Sequence, residues 1–273
     1  MYRVPSTLSD GPSGLSATDI RGTKGQRRVA MLTAYDYPTA LALDAAGLDL
    51  ILVGDSLGEV ELGLTSTKEV NLHMMCHHIR AVHRGVSRTH VVGDLPFNSY
   101  RTPQEAVQSA RALIDAGAMS VKLEGALIPQ VEAILADGIP VMGHVGLLPQ
   151  THDERRRRGV SPEEAADILS DAVALDRAGC YAIVIEAVDA AVAQRITDTV
   201  GAPTIGIAAG LGTDGQVLVS TDLLGQLPEP PRFVTPKADL FHMVIDAGRA
   251  FASEVRTAES PASHRYAAPR DRT

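Results

Sequence analysis

Two aspartates close apolar runs in this 273-residue chain, Asp55 in LILVGDS and Asp94 in HVVGDLPF. A carboxylate left unpaired at the end of such a run carries a large desolvation cost unless it meets a cation or several donors. Neither run brings a paired His or Cys, so the two together point to a hard cation. Mg2+ takes one or two carboxylates and leaves its other positions to water or substrate oxygens. The plainer reading has each Asp cap a helix or pair with a lysine. Lys122 and Glu124 stand two apart in SVKLEG, which on a strand turns both to one face and favours an ion pair between them. The same lysine suits a substrate carboxylate or, with a lowered pKa, a Schiff base. Glu186 ends the apolar run IVIE, a setting that raises a carboxyl pKa toward the range of a general base, unless a neighbouring Lys or Arg simply holds it. His144 in MGHVGLLPQ is a secondary candidate, since a lone His there is as often a hydrogen-bonding residue as a catalytic one.

Other groups read more plainly. His73 and His77 share a helical face, and His78 follows. They lack the glutamate of a zinc-protease motif and read as surface or packing residues. The run Glu154–Arg158 (ERRRR) reads as a solvated loop, with a phosphate-contacting lid as the lesser alternative. Thr204–Gly210 (TIGIAAG) with LGTDGQ after it is a Gly-rich turn able to bring backbone amides near a ligand. Cys76 and Cys180, the only cysteines, have no CxxC spacing and read as buried thiols.

The elements that must position these residues alternate. Val/Ile/Leu-rich runs recur at Val29–Tyr35, Leu48–Ser56, Thr89–Pro96, Met119–Gly125, Ile139–Val145, Cys180–Ala187, Ala202–Gly210 and Arg232–Thr235. Between them lie helical patterns such as Pro103–Gly117 and Pro162–Gly179, each opening near Pro and closing at Gly. Thr102 with Glu105, and Ser161 with Glu164, have the spacing of capping boxes. Eight βα units close into a barrel or stay an open sheet. Polar groups at strand after strand, and no dinucleotide fingerprint after the first, favour an α/β (β/α)8 TIM barrel, which gathers its strand ends on one face. The expected organisation is an N-terminal arm over 1–25 with at most one short helix, the barrel over 26–256, and a tail over 257–273.

A length of 273 suits one such barrel, and aromatics at only 4% fit Ala-rich helices on a parallel sheet. The net charge of -8 argues against a nucleic-acid partner. No apolar run approaches the roughly 18 residues of a membrane span, and no signal peptide is evident, so the expectation is a cytoplasmic protein without a membrane partner.

Taken in order, MLTAYDYPTA, LVGDSLG, DLPFNSY, VKLEG, GIPVMGHVGLLPQ, IVIEAV, PTIGIAAG and DGQVLV resemble the ketopantoate hydroxymethyltransferase family from about residue 28 to 256. The resemblance implies a barrel of the phosphoenolpyruvate-mutase and isocitrate-lyase type and transfer of a one-carbon unit from 5,10-methylenetetrahydrofolate to a 2-oxo acid, 2-oxoisovalerate. It also implies a homo-oligomer of decamer-like order. Position by position, it implies Mg2+ at Asp55 and Asp94 with Glu124 beside it, substrate contacts from Asp55, Ser56, Asp94 and Lys122, and Glu186 as proton acceptor. The chain departs from the family after GLLPQ, where THDERRRRGVSPEE replaces a Gly-rich loop, and at Ala208, where the family has Gly. These departures leave open a paralogue acting on another 2-oxo acid, or a Mg-dependent lyase or aldolase of the same superfamily. A non-catalytic barrel that fails to bind Mg2+ is the alternative of another class.

Overall fold

A computed structural model describes residues 14–257. They divide into two compact units, the first ending at Ser220 and the second starting at Thr221. In the first, β1 (Val29–Thr33), β2 (Leu50–Val53), β3 (His90–Asp94), β4 (Ser120–Lys122), β5 (Val141–Gly146), β6 (Ala182–Glu186), β7 (Thr204–Ile207) and β8 (Gly215–Leu218) form a closed barrel in sequence order. Every neighbouring pair is parallel, including β8 with β1.

Period-two alternation divides each strand between two cores. Met31, Leu50, Leu52, Val92, Met142, Val184 and Ile205 cluster in one, while Ile51, Val53, Val91, Val121, Val141, Ile183 and Ile185 belong to the other, shared with the helices. Around the outside run α2 (Tyr37–Ala46), α4 (Leu72–Gly85), α5 (Pro103–Asp115), α6 (Ile128–Ala136), α7 (Pro162–Ala178) and α8 (Ala190–Thr199), with the short α3 (Leu57–Val60) after β2. Asp36, Asn71, Thr102 and Ser161 cap α2, α4, α5 and α7, each accepting a first-turn N–H. The capping boxes form only by halves: Glu105 turns to Arg101 and Glu164 to Arg156, instead of returning to the cap backbone.

The expected arm is docked from Leu15 onward. Ser16 and Asp19 form a reciprocal capping box on α1 (Ala17–Arg21), and Ile20 is fully buried in the inner barrel cluster. Beneath the inner layer, His90 Nδ1 meets Leu15 O at 2.8 Å, its Nε2 meets Ser120 Oγ at 2.8 Å, and Ser120 Oγ meets Tyr181 OH at 2.9 Å. A carbonyl only accepts, so Nδ1 carries the ring proton, Nε2 accepts from Ser120, and Tyr181 donates to Ser120.

The eighth strand is corrected. Arg232–Thr235 is turn and coil in the second unit, and Gly215–Leu218 closes the barrel. Phe233, Val234 and Thr235 have strand composition, but the closing strand must approach β1 closely. A Cβ at residue 215 would stand 2.5 Å from Val29 O, so Gly215 permits the closure. In the second unit Lys237 N–H donates to Leu223 O at 2.7 Å and Leu240 N–H to Leu224 O at 3.1 Å, leading into α10 (Leu240–Thr257), none of whose residues is buried. The predicted tail lies outside the described residues. Among those described, no helix is long and apolar enough to cross a membrane.

Candidate active site

The alternation that turns Val92, Met142 and Val184 into the barrel carries Asp94, His144 and Glu186 to the same side two residues later. Asp94 and Lys122 are direct register partners on β3 and β4, and Lys122 Nζ lies 2.8 Å from Asp94 Oδ1. The expected Lys122–Glu124 pair is therefore corrected to Lys122–Asp94. β4 ends at Lys122, and past it Glu124 Oε2 accepts the Gln150 N–H at 3.0 Å. Asp55 lies just beyond β2 and its N–H faces Asp94 Oδ2 at 3.4 Å. Ser56 Oγ is 2.8 Å from the buried Tyr35 OH.

His144 joins the acid cluster to Glu186. Its Nδ1 is 3.5 Å from Lys122 Nζ and 3.8 Å from Glu124 Oε1, while Nε2 is 3.2 Å from Glu186 Oε2. The ammonium can only donate, which makes Nδ1 the acceptor and puts the ring proton on Nε2, facing Glu186. Asp94, Lys122, Glu124 and His144 are nearly sealed, whereas the Glu186 side chain keeps 24% of its surface open. The residue after Glu186, Ala187, is left-handed (φ 50°), and Gly146 (φ 99°) leaves room for Glu186 O, which a Cβ there would meet at 2.4 Å.

Burial dominates the electrostatics. It pushes the Asp55 carboxyl up to about 7, with the Asp94 charge adding to the shift. It also holds Glu124 well above the usual carboxylate range. For Lys122 burial acts downward, but Asp94, Glu124 and Asp55 outweigh it and the ammonium is held above its ordinary value. Burial, then the Lys122 charge, keeps His144 below its ordinary value. One ammonium thus faces three buried carboxyl groups.

Two residues passed over in the sequence complete the set. Gln150, fully buried, donates from Nε2 to Asp55 Oδ2 at 2.8 Å and to Leu95 O at 3.0 Å, and its Oε1 accepts from Tyr100 OH. The sequence signals were their place in loops that follow β5 and β3 and their position at the ends of the blocks GIPVMGHVGLLPQ and DLPFNSY. Beyond Gln150 the arginine run is tied down more than a solvated loop would be. Arg155 pairs with Glu59, Arg156 with Glu164 and Arg157 with Asp189, while Arg158 N–H donates to Ala187 O at 2.8 Å. His73 and His77 are exposed, and His78 binds Tyr35 O, so these remain surface or packing residues. Cys76 and Cys180 are buried and unpaired with each other.

Among the described residues no group of three His, Cys, Asp or Glu side chains stands at ligating spacing. A Mg2+ site does not need one, because one or two carboxylates suffice. The residues present fit such an ion. Asp94 Oδ1 is buried without an aligned hydrogen-bond donor despite the nearby ammonium, and the cluster holds more acid than Lys122 can neutralise.

The fold has solved counterparts. Phosphonopyruvate hydrolase in complex with oxalate and Mg++ matches with a TM-score of 0.61 at 13% identity, over 93% of this chain and 92% of that one. 2,3-Dimethylmalate lyase, a PEP mutase/isocitrate lyase superfamily member, matches with a TM-score of 0.58 at 16% identity, again over 93% and 92%. The protein is thus a closed (β/α)8 barrel that shares its fold with these two proteins. The family model for ketopantoate hydroxymethyltransferase matches residues 15–263. The 3-methyl-2-oxobutanoate hydroxymethyltransferase of Oleidesulfovibrio alaskensis is 48% identical over 266 residues, 94% of this chain and 92% of the relative. That of Ignicoccus hospitalis is 48% identical over 249 residues, 89% and 95% respectively. The chain belongs to the ketopantoate hydroxymethyltransferase family and is a transferase.

Proposed function

We propose that this enzyme converts 2-oxoisovalerate to 2-dehydropantoate by removing the C3 proton and joining C3 to the methylene carbon of 5,10-methylenetetrahydrofolate. The observation that supports it best is the meeting of Asp55, Asp94 and Glu124 around Lys122, with the partly open Glu186 beyond His144. Asp55 and Asp94, with Glu124 beside them, would hold Mg2+, which when bound supplies positive charge against the keto oxygen as the C3 proton leaves.

Lys122 and Ser56 supply donors for the substrate carboxylate and keto oxygen. Glu186, less buried than Asp55, Asp94 and Glu124, takes the C3 proton on a carboxylate oxygen. His144 Nε2 stands 3.2 Å from that carboxylate and limits where it can swing. The resulting enolate forms the new C–C bond, water provides the hydroxyl of the transferred carbon, and tetrahydrofolate departs. The reading carries with it a cytoplasmic homo-oligomer.

The test is proton exchange at C3. In deuterium oxide with Mg2+, the protein should exchange the C3 proton of 2-oxoisovalerate, followed by NMR, and should add a carbon to it when methylenetetrahydrofolate is supplied. Glu186→Gln should slow exchange by at least about 100-fold, the lower range for a general base. Exchange at the unaltered rate in that variant would remove Glu186 from the role. Exchange without carbon addition would leave the enolisation in place and overturn the donor.

A further inference from the structure

Gln150 hydrogen-bonds two acids of the cluster, although it lies on none of the strands. Its backbone N–H binds Glu124 Oε2 at 3.0 Å, and its side-chain amide binds Asp55 Oδ2 at 2.8 Å and Leu95 O at 3.0 Å. Asp55 follows β2, Leu95 follows β3, and Glu124 lies beyond β4, so one residue ties three strand ends together. The amide is directional: exchanging its oxygen and nitrogen would set an acceptor against Leu95 O, which only accepts, and against the ionised Asp55 Oδ2. Those acceptors fix the amide's orientation, and Tyr100 holds it in place. Its hydroxyl donates to Gln150 Oε1, and the ring is nearly sealed.

The consequence concerns which carboxylate oxygens remain for a ligand. Gln150 occupies Asp55 Oδ2 and Glu124 Oε2, leaving Asp55 Oδ1 and Glu124 Oε1 clear of the amide. It also holds together two acids whose charges repel, and burial would magnify any misplacement. We infer that Gln150, locked by Tyr100, is a positioning residue that sets the separation and free oxygens of Asp55 and Glu124 for a divalent cation. This rests on the metal-dependent reading above, and it adds the two loop residues on which the strand-end acids depend.

Mn2+ binding to the full chain, measured by electron paramagnetic resonance without substrate, tests it. The unaltered protein should bind Mn2+ and Asp94→Asn should lose most of that binding. Gln150→Met keeps the volume and the backbone N–H but removes the amide, and should weaken Mn2+ by about 10- to 100-fold, the range for partners that orient metal ligands. Tyr100→Phe should weaken it less, and the double variant should bind no worse than Gln150→Met alone, because Tyr100 acts through the amide. If Gln150→Met does not fold, Tyr100→Phe decides by itself: folded by circular dichroism and at least threefold weaker for Mn2+ supports the inference. Folded variants within twofold of the parent overturn the positioning role and leave the metal reading standing. An unaltered protein that binds no Mn2+ overturns both.

Discussion

Asp55 shows what a buried acid does to a protein before any ligand arrives. Its carboxyl is pushed up to about 7 by burial and by Asp94, whereas in the unfolded chain it titrates near 4. Between those values the folded chain binds the proton and the unfolded chain releases it, so stability falls as pH rises from about 4 to about 7 and stays reduced above. A cation favours the ionised carboxylate and works against that loss. Thermal unfolding in EDTA should therefore show Tm declining across this window, and added Mg2+ should raise Tm more at pH 8 than at pH 5. Asp55→Asn removes the titration while its carbonyl still accepts from Gln150, and should make the cation-free protein more stable at pH 8 by up to about 4 kcal/mol, given 1.36 kcal/mol per pKa unit over roughly three units. Parallel pH curves for parent and variant would exclude Asp55 as the group responsible. The strand-end acids were readable because alternation on an apolar strand dictates which face a side chain takes. Gln150 and Tyr100 were not, because a loop residue has no period to betray its direction.

At the scale of elements, the turns after the strands carry the local strain. Asn98, Ala187 and Ala208 are the non-glycine residues with left-handed backbone among those described, and each follows a strand at its C-terminal end. Ala208 (φ 51°) begins the connection from β7 to β8, which runs without a helix between them. The family resemblance puts glycine there. A left-handed Ala costs roughly 1–2 kcal/mol, and glycine gives back about 0.4–1 kcal/mol of that through the greater freedom of the unfolded chain. Ala208→Gly should therefore raise stability by about 0.5–1 kcal/mol, read from the urea midpoint at constant m. A lower midpoint would mean that the methyl packs productively and that the backbone angle carries no penalty. Helices α5 and α7 and seven of the eight strands were legible from caps and apolar runs, since local chemistry decides them. The closing strand was not: Gly215–Leu218 is short and exists because β1 and β7 leave room for it, whereas Arg232–Thr235 has the right residue types and no partner strand.

At the scale of the molecule, the barrel separates stability from chemistry along its axis. The acids gather beyond the C-terminal ends of the strands, while α1 enters from the other side, with Ile20 packed among Val29, Leu50, Met142 and Ile205 and with Leu15 O receiving the proton on His90 Nδ1. Burial keeps that imidazole below its ordinary pKa, so it is neutral at physiological pH and the Leu15–His90–Ser120–Tyr181 chain has its hydrogens in one order. Arg21 extends the docking by pairing with Asp176 at 2.9 Å, though this partly exposed pair adds little. Most of the anchoring energy therefore lies in Ile20. Truncating it leaves a cavity that the surrounding strands cannot collapse into, because they are held by the closed hydrogen-bond circuit of the barrel. Ile20→Ala should lower stability by about 2–5 kcal/mol, a Tm decrease of roughly 2–4 °C for each kcal/mol in a unit of this size. The rate of C3 proton exchange at a temperature where the variant is folded should stay within twofold of the parent, since no acid of the site touches this layer. A large loss of exchange rate in folded Ile20→Ala would show that the two ends of the barrel are mechanically coupled, and that the floor helps to set the spacing of the carboxylates above it.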